Sequence, residues 1–122
     1  MNVIWFSKTG NVKRFVEKIN DDNMNILNGA EEIADEPFLL ITYNAGMGQV
    51  PEEVDKFLRD HSRNLIGVAT SGNRNWGSYF GKAGDTISNQ YDVPIFKFEM
   101  SGTKEDVEKF KEFLSNLKED FS

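Results

Sequence analysis

The sequence predicts an α/β protein: a doubly wound, five-stranded parallel sheet of order 2-1-3-4-5, with helices on both faces in a three-layer α/β/α arrangement. Three observations predict it. Short apolar runs alternate with amphipathic helical patterns from one end of the chain to the other. The central runs are continuous rather than alternating, as in strands covered on both faces. The 122 residues suffice for about five βα units, which favours this type over the larger six-stranded dinucleotide fold. The same length suits one domain over residues 1–122, and no repeat, low-complexity stretch or interdomain linker divides it.

The elements follow in order. Val3 to Phe6 is a buried strand. A small polar turn, Ser7-Lys8-Thr9-Gly10-Asn11, leads into a helix. Its Val12, Phe15, Val16 and Ile19 share one face at i, i+3, i+4, i+7, while Lys13, Arg14 and Lys18 face away. Met24 to Leu27 is a weakly signalled second strand, and residues 28–36 form an acidic loop. Asp21-Asp22 and Glu31-Glu32 read as solvated charge rather than metal ligands. Phe38 to Thr42 is the third strand, followed by a Gly-rich loop. Pro51 fits the first helical position, Glu52 and Glu53 complement the helix dipole, and Val54, Phe57 and Leu58 form a buried stripe. Leu65 to Ala69 is the fourth strand. A polar turn and a helix from about Ser78 follow, burying Phe80, Ala83, Gly84 and Ile87. Val93 to Met100 is the last strand, with Pro94 near its start as an edge strand allows. Ser101 or Thr103 caps the final helix, which carries Glu105 and Asp106 in its first turn and Val107, Phe110, Leu114 and Leu117 along its stripe. Trp5 is expected in the core. His61 is expected to be exposed at a helix C-terminus, where the dipole favours its charge.

Composition excludes whole classes of chemistry. There is no cysteine, which removes disulfide scaffolds, thiolate metal sites and cysteine nucleophiles. The one histidine cannot supply a paired-histidine zinc motif. A net charge of −6 argues against nucleic acid and against an anionic membrane surface as partners. Met1 to Phe6 lacks the basic start of a signal segment, and no run approaches the roughly 20 apolar residues of a membrane span. The expectation is a cytoplasmic protein.

In an open α/β sheet, ligands bind beyond the carboxyl ends of the strands. Three loops leave those ends: residues 7–11, 43–50 and 70–77. They are rich in Gly, Ser, Thr and Asn; Lys8 and Arg74 are their only charges, so the ligand rim is expected to be free of carboxylates. The first loop precedes a helix, whose free N–H groups, with the Ser and Thr hydroxyls, suit a phosphate. It also fits an ordinary helix cap. It lacks the spacing of a Walker loop, and Gly46-Met47-Gly48, followed by Gln49-Val50-Pro51, lacks the third glycine of the dinucleotide fingerprint. Gly46 or Gly48 permits a peptide that can flip, or simply a tight turn. Trp76, between Gly72 and Gly77, suits either a flat aromatic ligand or an amphipathic surface. A receiver-type reading of the fold would need acids after the first and third strands, where Ser7-Lys8 and Tyr43-Asn44 stand.

The first loop resembles the FMN phosphate loop of flavodoxins, Ser/Thr-x-Thr-Gly-Asn, and the fold is correspondingly flavodoxin-like. Gly46-Met47-Gly48-Gln49-Val50-Pro51 and Gly72-Asn73-Arg74-Asn75-Trp76-Gly77 resemble a narrower group, the NrdI family, which serves class Ib ribonucleotide reductase. The likeness extends over essentially the whole chain, including Val93-Pro94 and Ser101-Gly102-Thr103, and departs at Met47, where relatives often carry an aromatic residue. It implies noncovalent FMN as cofactor. It also implies that the reduced protein reacts with O₂ and passes an oxidant to the dimanganese small subunit of the reductase, where a tyrosyl radical forms; this chain would bind no metal itself. The partners implied are that subunit, O₂ and an unidentified flavin reductant, with no nucleic acid and no membrane.

By the same resemblance, Ser7, Lys8, Thr9, Gly10, Asn11 and Val12 would hold the phosphate. Tyr43, Asn44, Ala45, Gly46, Met47 and Gly48 would run along the flavin edge. Ser71, Gly72, Asn73, Trp76, Gly77 and Tyr79 would border the ring, with Trp76 stacked on it. No side chain is expected to be catalytic, because the redox chemistry belongs to the cofactor. Two other readings stay open: a small general electron carrier of the flavodoxin type, and a non-flavin binding module on the same fold.

Overall fold

A computed structural model describes residues 1–20, 24–31 and 35–120. Asp21, Asp22 and Glu32, read as solvated charge, lie outside those residues. The strands are β1 (Asn2–Trp5), β2 (Asn25–Asn28), β3 (Phe38–Thr42), β4 (Leu65–Gly72) and β5 (Ile95–Glu99). The helices are α1 (Asn11–Ile19), α2 (Glu52–His61), α3 (Lys82–Tyr91) and α4 (Lys104–Asp120). The sheet is all parallel, in the order β2-β1-β3-β4-β5. The chain therefore starts near the middle, steps out to β2, and returns on the other side of β1. That reversal puts the topological switch point between β1 and β3, where their outgoing loops diverge and leave a crevice.

Alternation along the strands builds two cores. Val3, Leu39 and Ile41 point to one face, where they meet Phe15 and Ile19 of α1 and Phe110 and Leu114 of α4. Ile4, Phe38 and Leu40 point to the other, against Val54 and Leu58 of α2 and Ile87 of α3. Both faces need apolar side chains, so β3 reads as a continuous hydrophobic run and is buried throughout. On the α1 side, Phe15 stacks on Phe98 at 3.8 Å and meets Phe110 edge-on at 5.3 Å. Such pairs add about 0.5–1.5 kcal/mol each to the area they bury.

Several expectations need correction. β4 runs three residues beyond Ala69, because Thr70, Ser71 and Gly72 pair with Lys97, Phe98 and Glu99 of β5. Their polar composition suggests a turn, but strand pairing overrides it. The helix expected from Ser78 begins at Lys82; residues 74–79 form short 3₁₀ turns broken at Gly77, and Phe80 lies outside the helix, half-buried. Pro51 precedes α2 instead of opening it, with extended ψ. Trp5 is half-buried at the margin of the α1 core. His61 is half-buried too, its ring 4.6 Å from that of Phe57. Thr103, not Ser101, caps α4: its hydroxyl accepts from Asp106 N–H and the Asp106 carboxylate accepts from Thr103 N–H, both at 3.0 Å.

Candidate functional site

The carboxyl ends of β1, β3, β4 and β5 surround one cavity of about 900 Å³. That volume is in the range of cofactor sites, roughly 300–1,000 Å³. Each wall comes from a loop whose local chemistry explains its shape.

The β1–α1 loop contributes Ser7, Lys8 and Thr9, and the first turn of α1 contributes Asn11 and Val12. Gly10 has φ 94°, a left-handed conformation that lets the chain turn sharply into α1. α1 has no acidic residue in its first turn, so its N–H end keeps its positive character. The Ser7 hydroxyl accepts a 3.3 Å bond from Lys13 N–H.

The β3–α2 loop contributes Tyr43, Asn44, Ala45 and Gly46. It closes on itself through an Ala45–Gln49 backbone bridge. The Asn44 side chain reaches across to the next loop. Its Nδ2 donates to Tyr79 carbonyl at 3.0 Å, and its Oδ1 accepts from Ala83 N–H at 2.9 Å, capping α3. Both polar ends of Asn44 are therefore engaged in joining two walls.

The end of β4 contributes Ser71 and Gly72, and the connection to α3 contributes Asn73 and Trp76. Asn73 Oδ1 accepts from Asn75 N–H at 2.9 Å, a local turn that presents Trp76 with 48% of its surface exposed. Gly10, Met47, Gly48, Gly77 and Tyr79 do not line the cavity. Gly48 packs against Lys82, and the Tyr79 ring lies 5.1 Å below the Lys82 ammonium.

Two features escaped the sequence reading. Glu52 and Glu53, at the start of α2, line the cavity with Pro51, so the rim is not free of carboxylates. Tyr43 donates a 2.8 Å hydrogen bond to Glu53. Burial first, then that bond and the charge of Glu53, push the Tyr43 phenol up to about 12. Met100, just past β5, forms the remaining wall. Of the two loop cations, only Lys8 faces the cavity. Arg74 turns away: its Nε meets Glu99 at 3.0 Å, its Nη2 meets Asp106 at 3.4 Å, and its guanidinium lies 4.9 Å over Phe80. Among the described residues, no group of three or more His, Asp or Glu comes together as a metal site, and no helix is long and apolar enough to cross a membrane.

A parallel sheet of this order, with a hydroxyl-lined helix start and a glycine loop facing each other across the switch point, defines a flavodoxin-like protein. Comparison with known proteins narrows this. Residues 3–112 match the family described as NrdI flavodoxin-like. The chain is 50% identical to Protein NrdI of Bacillus licheniformis over 96% of this chain and 89% of that protein. It is 44% identical to Protein NrdI of Macrococcus caseolyticus over 98% of this chain and 92% of that protein. The chain belongs to the NrdI flavodoxin-like family.

Proposed function

We propose that the protein binds FMN in this cavity. In its reduced form it reacts with O₂ to supply the oxidant that assembles the dimanganese–tyrosyl radical cofactor of a class Ib ribonucleotide reductase small subunit. The observation that carries the reading is the cavity's polarity along its length. One end offers hydroxyls and helix N–H groups, the other offers an exposed Trp76 and amide backbone, and Glu52 and Glu53 line the cavity from the start of α2.

The residues present fit the group. Ser7, Thr9 and the first N–H groups of α1 would hold the phosphate, with Lys8 adding charge. Asn44 to Gly46 would lie along the ring edge, and Trp76 would offer its indole as a flat wall. When bound, the flavin would supply the redox chemistry towards O₂. The chain's own residues position that chemistry. Asn44 holds the second and third walls at a fixed separation. Burial and the Tyr43–Glu53 bond push the phenol up to about 12, so Tyr43 remains a hydrogen-bond donor well into alkaline pH. Trp76 and Met47, 48% and 55% exposed, leave the rim open to O₂ and to a docking protein.

The test mixes the reduced, FMN-loaded protein with O₂ and the dimanganese subunit and follows the tyrosyl radical by electron paramagnetic resonance. Radical formation that depends on bound FMN is expected. No radical above a flavin-free control contradicts the proposal.

A further inference from the structure

Resting on the FMN reading, we infer that Arg14 and Ser101 are positioning residues that present Asn11 to the phosphate as a donor. The three side chains form a closed ring. Arg14 Nη2 donates to Asn11 Oδ1 at 2.7 Å, Arg14 Nε donates to Ser101 Oγ at 2.9 Å, and Ser101 Oγ donates to Asn11 Oδ1 at 2.8 Å. The directions of these bonds follow from chemistry. A guanidinium only donates, so the Ser101 oxygen must accept from it and send its own proton to Asn11. The Asn11 atom that meets both groups must then be its carbonyl oxygen. The reversed amide would set a donor 2.7 Å from another donor. With Oδ1 engaged by two partners, the polar group left at the end of the Asn11 side chain is Nδ2, which can only donate.

Asn11 is the first residue of α1 and lines the cavity. A freely rotating asparagine would have to be ordered, amide nitrogen first, by the anion itself, because its oxygen repels a phosphate. The ring removes that choice, which preorganises the site. Ser101 is ninety residues away in sequence, so its turn must itself be held in place. Lys18 Nζ donates to Ser101 and Gly102 carbonyls at 3.0 and 2.9 Å. Gly102 has φ 84°, and a Cβ there would lie 2.3 Å from the Phe15 ring. The same turn reaches the opposite end of the cavity: Ser71 Oγ donates to Met100 carbonyl at 2.6 Å, and Met100 N–H donates to Gly72 carbonyl at 2.7 Å. The β5–α4 turn thus joins the phosphate wall to the ring wall.

The test compares dissociation constants for FMN and for riboflavin, which lacks the phosphate, by flavin-fluorescence titration of the purified apoprotein. Ser101→Ala should weaken FMN about three- to tenfold, the size of one hydrogen bond. It should leave riboflavin unchanged, and Ser101→Thr should restore FMN. Arg14→Lys, which keeps the charge but loses the paired donors, should behave like Ser101→Ala. Equal weakening of both flavins, or an unchanged FMN preference, overturns the inference while leaving the flavin reading intact. A wild-type protein that binds neither flavin overturns both.

Discussion

The two ends of the cavity are built differently. At the β1–α1 end, side chains far apart in sequence lock the backbone: Arg14, Lys18 and Ser101 make five hydrogen bonds among α1 and the β5–α4 turn. At the β3–α2 end, Tyr43 and Asn44 anchor the base of the loop to Glu53, Tyr79 and Ala83, while its tip, residues 45–49, is held by its own Ala45–Gln49 bridge and by Gln49 Oε1 on Met47 N–H. Gly46 and Gly48 there have φ 51° and 102°, and Met47 is 55% exposed. The first end suits a charge that does not change. The second suits a group whose hydrogen-bonding needs change with its redox state, because a loop tip whose hydrogen bonds stay within it can rearrange without disturbing the core. A protein can therefore hold a cofactor firmly at one point and adapt to it at another.

Breaking the rigid end should have the largest effect. Gly102→Ala combines a left-handed φ with a clash against Phe15, and should lower stability by about 2–4 kcal/mol, read from urea unfolding. The Tyr43–Glu53 contact should show a smaller, pH-dependent effect. The folded phenol titrates at about 12, above its ordinary value of about 10. Its contribution is therefore fully present below pH 10 and is lost as pH rises from there through 12. The fall in urea midpoint from pH 9 to pH 11 should be smaller in Tyr43→Phe than in wild type. Smallest of all, Met47→Ala at the adaptable end should change stability by less than about 0.5 kcal/mol, since the side chain is mostly in water. A large loss there would mean that this loop is as tightly built as its opposite.

The fold was legible because each strand and helix announces itself locally. Phe38 to Thr42 is a run that only a doubly covered strand explains, and the Val12, Phe15, Val16, Ile19 stripe has helical spacing. Boundaries were harder where pairing partners are remote. Thr70 to Gly72 look like a turn until Lys97 to Glu99 lie beside them. Of the cavity, the residues that follow β1, β3 and β4 were legible because glycine and hydroxyl residues cluster after those strands. Glu52 and Glu53 were not, because a first-turn acid serves the helix dipole equally well whether or not it faces a cavity. Met100 and Ser101 follow the fifth strand, and the rule that ligands gather at the carboxyl ends applies there too. Ser101-Gly102-Thr103 was the available signal; the contact with Asn11 was not, because it depends on how α1 and α4 pack together.

The central claim is that the cavity takes FMN. Titrating the apoprotein with FMN and following flavin absorbance and fluorescence tests it most directly. Uptake of one FMN per chain is expected, with shifted visible bands, flavin emission quenched against Trp76, and weaker quenching in Trp76→Ala. Flavin fluorescence and absorbance that stay those of free FMN as protein is added in excess would contradict it.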